Sequence, residues 1–175
     1  GVRDGIEYST LAAVGAELAA DLPGAGYLHH FNVVTVRQGQ IRMATIPVGT
    51  VLDPKQITGE VSTDCLTLEQ KLRVLQQEPL TIAADGSIDQ EVAVVLHNPC
   101  RRSVTLTLQL DGHDRRLRSV PDHVHLDLTP EQRTTLRLRV LRPSSPLDAN
   151  CDAPAWLLGC DYLGESLRVT LPEKR

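Results

Sequence analysis

From Ser103 to Leu110 the chain alternates. Val104, Leu106, Leu108 and Leu110 are apolar, and Ser103, Thr105, Thr107 and Gln109 between them are polar. Successive side chains of a strand point to opposite faces, so this run has one aliphatic face and one polar face. That is the signature of a half-buried antiparallel strand. The pattern recurs at 123–128, where Val124, Leu126 and Leu128 oppose His123, His125 and Asp127. It recurs at 135–140 (Leu136, Leu138, Val140 against Thr135, Arg137, Arg139) and at 166–171 (Leu167, Val169, Leu171 against Ser166, Arg168, Thr170). Residues 92–96, VAVVL, are apolar at every position, which suits a central strand. AWLLGCDYL (155–163) reads as a further strand.

Turn residues separate these runs. Asn98-Pro99 stops the strand before it, because proline has no N–H to donate. Asp111-Gly112, Pro121-Asp122 and Thr129-Pro130 punctuate the next ones. Short strands at this spacing predict a sandwich or barrel.

The first half reads differently. Leu11, Val14, Leu18 and Leu22 predict a helix over 9–22, capped by Ser9 or Thr10 and ended by Pro23-Gly24. Residues 32–46 predict a hairpin turning at Gln38-Gly39, preceded by His29-His30 at the strand start. A short strand is expected through Thr50–Leu52. Leu68, Leu72 and Leu75 predict a second helix over 67–77, with Thr67 and Gln70 as a capping box and Pro79 as the stop. Residues 80–83 then predict the first sandwich strand, followed by an Asp85-Gly86 turn. Residues 1–8 show no pattern. The expectation is a mostly β chain. A helix–hairpin–helix extension over 1–78 precedes an immunoglobulin-like antiparallel β-sandwich of seven to eight strands over 79–175.

Composition narrows the function. Aromatic residues are 3% of the 175, so the core rests on Leu, Val and Ile. Carbohydrate platforms and base-stacking surfaces need flat rings, which argues against both. Residues 1–90 carry 6 basic and 11 acidic side chains, and residues 91–175 carry 12 and 11. An acidic half beside a near-neutral, arginine-rich half does not point to nucleic acid. No run reaches the roughly 18 apolar residues of a membrane helix. Asp4 and Glu7 interrupt any signal-like start, and a first residue of Gly is what a trimmed or processed chain has.

Over residues 79–172 the motifs VAVVLHNP, SVTLTLQLDG, VPDHVHLDLTP and LRLRVLRP resemble immunoglobulin-like accessory modules, most nearly those of the ASPM–SPD-2–hydin and CARDB type. The resemblance implies a non-enzymatic adaptor or spacer and carries no functional residue onto this chain. The antibody-type Cys…Trp…Cys spacing is not matched, since Trp156 lies between Cys151 and Cys160, too close to both.

Several residues are candidates for chemistry. Cys65, Cys100, Cys151 and Cys160 allow two disulfides in three connectivities, including a Cys151–Cys160 staple, or four reduced thiols. A zinc set would need His97, Cys100, Cys151 and Cys160. His97 and Cys100 are also the only local Cys–His pair for a thiol nucleophile. His123 and His125 share a strand face about 6.7 Å apart, a spacing that suits a metal or a solvated polar surface. There is no G-x-S-x-G, P-loop or H-E-x-x-H. No cofactor and no enzymatic activity are expected. Arg137, Arg139 and Arg168 lie on polar strand faces, with Arg101, Arg102, Arg115, Arg116 and Arg118 on adjoining segments. They predict either a docking face for an acidic partner or an exposed sheet with cross-strand ion pairs. The partner would be another protein or further copies of the chain. The expected role is a structural or protein–protein interaction module. A shell-type subunit with a jelly-roll-like sandwich and an interlocking N-terminal arm is the alternative, and a metal- or thiol-dependent enzyme the third.

Overall fold

A computed structural model describes residues 1–11, 18, 26–48, 56–112, 114–147, 154–165 and 167–175. The chain is mostly β, with antiparallel sheets. It divides into two compact units, Gly1–Ser62 and Thr63–Arg175. The sequence pattern places a boundary between residues 78 and 79.

The first unit opens with β1 (Val2–Arg3) and β2 (Ile6–Glu7), joined by Asp4 and Gly5 with φ of 53° and 75°. The Asp-Gly pair is a hairpin signal that the patternless reading of residues 1–8 passed over. The predicted hairpin follows as β3 (His30–Arg37) and β4 (Gln40–Pro47). Gln38 and Gly39 turn it, both at positive φ as a two-residue hairpin loop requires. His30 starts β3 with its Nδ1 3.0 Å from the Leu28 carbonyl. The expected helix over 9–22 is not seen in its described residues. Ser9, Thr10, Leu11 and Leu18 are not helical, and the rest lies outside the described residues, as does the expected strand at 50–52.

The one helix among the described residues is α1 (Gly59–Lys71), not 67–77. Thr58 caps it, accepting from the Val61 N–H at 3.3 Å, and Glu60 lies in the first turn. Its buried stripe is Val61, Cys65, Leu68 and then Leu72, at spacings of four, three and four. Leu75, read as part of that stripe, is exposed in a short strand. Thr67 is mid-helix, its hydroxyl donating to the Thr63 carbonyl at 2.8 Å rather than capping. The helix C-terminus is held by Lys174, whose ammonium donates to the carbonyls of Leu68, Glu69 and Leu72.

The second unit holds two four-stranded antiparallel sheets. One is β5 (Leu75–Gln76), β6 (Ile88–His97), β10 (Arg133–Arg142) and β8 (Arg118–Val120), in that spatial order. The other is β12 (Arg168–Lys174), β11 (Ala155–Leu163), β7 (Val104–Asp111) and β9 (His123–Leu128). Each sheet has one buried face, built by the alternating aliphatics. Val92, Val94, Leu138 and Val140 are buried in the first sheet. Val104, Leu106, Leu108, Leu158, Val169 and Leu171 are buried in the second. Each such side chain contributes about 1.5–3 kcal/mol by leaving water. β6 lies between β5 and β10, and consecutive Val94, Val95 and Leu96 are all buried, so both of its faces are covered at that end.

Residues 80–83 do not form the expected strand. The Gln90 side chain takes the place of a strand partner there. It accepts from the Thr81 N–H at 2.8 Å and donates to the Pro79 carbonyl at 3.0 Å. The Asp85-Gly86 turn is present, with Gly86 at φ 78°.

Candidate interaction surfaces

Alternation puts Arg137 and Arg139 on the exposed face of β10, as read from the sequence. β10 runs antiparallel to β6, with Arg139 opposite Glu91 and Leu141 opposite Asp89. The ion pairs are diagonal across this register. Arg139 reaches Asp89 with a bidentate fork, both bonds 2.6 Å, and Arg137 reaches Glu91 at 2.9 Å. The guanidinium hydrogen bonds hold the Asp89 carboxyl below its ordinary value and raise Arg139 in return. Arg168 belongs to the other sheet, where it pairs with Asp161 of the adjacent strand. The three arginines are thus on two sheets and each is partnered within the chain. Cross-strand pairs of this kind orient an exposed sheet face.

His123 and His125 lie on the exposed face of β9, their rings 5.0 Å apart and edge-on. His123 Nδ1 is 3.0 Å from Asp122, and His125 Nδ1 is 2.8 Å from the Thr107 hydroxyl. The Thr105 hydroxyl donates to Asp127 at 2.7 Å. His123, His125 and Asp127 are therefore each bonded to a neighbour in the turn before β9 or on β7.

The thiols are drawn inward. Cys65, Cys100 and Cys160 are free and buried, so Cys160 is not held in the expected Cys151–Cys160 staple, and Cys151 lies outside the described residues. The Cys100 thiol donates to the Asp64 carbonyl, Sγ to O 3.2 Å. Tyr162, fully buried, donates its hydroxyl to the Asp64 carboxylate at 3.0 Å. Burial pushes the thiols up, Cys65 to about 11 and Cys100 and Cys160 to about 12. Thiols raised in this way are neutral near pH 7, the form that packs well and attacks poorly. His97, the expected partner of Cys100, faces Glu131 at 3.6 Å instead. Among the described residues no three His, Cys, Asp or Glu side chains come together as metal donors.

Two polar hubs were not read as such from the sequence. Asn98 is fully buried. Its amide donates to the carbonyls of Arg102, Leu128 and Thr129 at 2.8–3.1 Å and its Oδ1 accepts from the Cys100 N–H at 3.0 Å. Asn98 does more than end β6: it ties that strand's exit to the loop after β9. The second hub is Arg142, at the inward end of β10 with 2% of its side chain exposed. Nε donates to Asp114 at 2.7 Å, and the remaining N–H groups reach the carbonyls of Gly86, Ser145 and Pro146. Arg116 takes the other side of the same carboxylate, Nε to Oδ1 2.7 Å. These bonds, Arg116 foremost and then Arg142, hold the Asp114 carboxyl well below the usual range. Alternation signals this hub, since position 142 follows Leu138 and Val140 on the apolar parity.

An exposed apolar surface lies on the β3–β4 hairpin. Val34 and Val36 on β3 adjoin Met43 and Ile41 on β4, across from each other on one face near the tip. Val36 is 66% exposed and Ile41 74%. On the opposite face, nearer the base, Phe31 is 52% exposed and adjoins Ile46, with Val33 beside it. No known family model matches the chain, and no curated protein matches it significantly.

Proposed function

We propose that the chain is a non-catalytic structural or protein–protein interaction module within a larger protein or assembly. Its second unit is proposed to be an immunoglobulin-like β-sandwich of the ASPM–SPD-2–hydin or CARDB type. The strand order supports this. β5-β6-β10-β8 follows the A-B-E-D order of such a fold, and β12-β11-β7 the G-F-C order, with β9 added at the edge beside β7.

The observation that carries the functional reading is the hairpin. A two-stranded ribbon is marginal in water, and this one holds valine, isoleucine and phenylalanine in solvent on both faces. Contact with another protein surface removes that cost. The buried, high-pKa thiols weigh against a thiol enzyme.

A shell-type subunit with a jelly-roll-like sandwich is the second reading, because the hairpin stands in the N-terminal unit, where an interlocking arm belongs. Static light scattering on the isolated chain separates the two. A monomer, or a small defined complex with an added partner, supports the module. A large closed assembly of the chain alone supports the shell.

A further inference from the structure

At the β8 end of the first sheet a shallow, open groove of about 560 Å³ is lined by Ser87, Asp89, Arg115, Arg118, Leu141 and Ser144. Its charge balance is unusual. Asp89 is directly opposite Leu141, which is opposite Arg118, so the three form one row across the exposed face. Arg139 from the next row has taken both oxygens of Asp89. Of the carboxylates beside the groove, Asp114 is saturated by Arg116 and Arg142, and Asp85 is turned onto the N–H and hydroxyl of Ser87. Arg115 and Arg118 are exposed and have no ion-pair or hydrogen-bond partner among the described residues. Two guanidinium forks therefore line the groove with neither ion-paired to a carboxylate among the described residues. Beside them β8 ends its sheet, so no described strand pairs with its outer edge.

We propose that this groove binds an extended, carboxylate-rich peptide segment, with Arg115 and Arg118 receiving its acidic side chains. An extended chain sets alternate side chains about 6.7 Å apart on one face, which lets two carboxylates reach two arginines. The same chain can hydrogen-bond the open edge of β8 while its stems lie on Leu141. A lone phosphate would use neither the strand edge nor the aliphatic floor. The site is distinct from the hairpin, so it stands whether or not the hairpin docks.

The test is fluorescence anisotropy with fluorescein-labelled hexaglutamate and the intact chain at low salt, with hexaglutamine as the uncharged control. Hexaglutamate is expected to bind and hexaglutamine not. The Arg115→Ser/Arg118→Ser double variant is expected to weaken binding about tenfold, as the loss of two charge-assisted contacts implies. Arg133→Ser, at the far end of β10, is expected to change it less than about twofold. All the replaced residues are exposed and their side chains have no partner among the described residues, so each variant keeps its fold, which circular dichroism verifies. Undiminished binding by the double variant, or equal loss in Arg133→Ser, overturns the proposal. Tighter binding of inorganic tripolyphosphate than of hexaglutamate at the same two arginines overturns it in favour of a phosphate site.

Discussion

Arg142 Nε donates to Asp114 Oδ2 at 2.7 Å, with 2% and 8% of the two side chains exposed. An ion pair removed from water in this way holds its place only if the remaining donors and acceptors are satisfied, and here backbone carbonyls and Arg116 do so. Replacing Arg142 by Met leaves the carbonyls of Gly86, Ser145 and Pro146 without their donor. The variant is expected to unfold at a clearly lower urea concentration, with an unchanged slope, in equilibrium denaturation.

The same pair sets the response to acid. The folded carboxyls of Asp114, Asp85, Asp89, Asp122 and Asp161 all lie below the ordinary 3.8. A carboxyl depressed by folding binds its proton more readily when unfolded, so its contribution is complete above about pH 4 and drains away as pH falls further. Stability measured by urea midpoint is expected to be flat from pH 5 to 7 and to drop steeply below 4. Asp114→Asn is expected to flatten that acid limb while lowering the plateau.

Asn98 offers a cleaner measure of a buried hub. Asn98→Ala removes the partner of the buried Cys100 N–H and of the Leu128 carbonyl, along with the part-buried bonds to Arg102 and Thr129, and a loss of about 1–3 kcal/mol is expected from calorimetry or urea titration. Asn98→Asp is expected to be no better, because a carboxylate cannot donate to the carbonyls of Arg102, Leu128 and Thr129. Tolerance of Asn98→Asp at neutral pH contradicts the hub.

Gly86 is fixed by both conformation and space. Its φ is 78°, and a Cβ there would fall 2.1 Å from the Ser145 carbonyl oxygen and 2.9 Å from Arg142 Nη1. Gly86→Ala is expected to cost at least about 2 kcal/mol, the left-handed penalty plus displacement of the backbone.

The thiols respond at the other end of the pH scale. A thiol raised by folding leaves the unfolded chain to ionise first, so stability is whole below about pH 9 and falls as pH climbs towards 11 or 12. Iodoacetamide at pH 8, followed by peptide mass mapping, is expected to leave Cys65, Cys100 and Cys160 unmodified in the folded chain and to alkylate all three in urea. Rapid native labelling of Cys100 contradicts its packing role.

Much of the second unit is legible in the residues, because alternation over β7, β9, β10 and β12 needs no knowledge of partners. AWLLGCDYL even has the bounds of β11. What escapes is whatever depends on a neighbour. α1 starts at Gly59 because Val61 and Cys65 complete a stripe that a search for leucines begins only at Leu68. Residues 80–83 are composed like a strand, yet the Gln90 amide satisfies the backbone that a ladder would have used. The arginines split the same way. Their exposure follows from parity, whereas the diagonal reach of Arg139 to Asp89, which leaves Arg118 unpaired, needs the register of three strands. Arg142 had a signal in its parity, but an arginine on the apolar side becomes a hub only once Asp114 and three carbonyls meet it.

Amide hydrogen exchange over β3 and β4 tests the interaction reading most directly, comparing the isolated chain with the native full-length assembly. The expected result is fast exchange of residues 30–47 in the isolated chain and protection at least about tenfold greater in the assembly, since only a covered ribbon of this size holds its hydrogen bonds. Equal exchange in both states would mean that Val36, Ile41 and Phe31 stay in water, and the reading of the chain as a contact module through this hairpin would be contradicted.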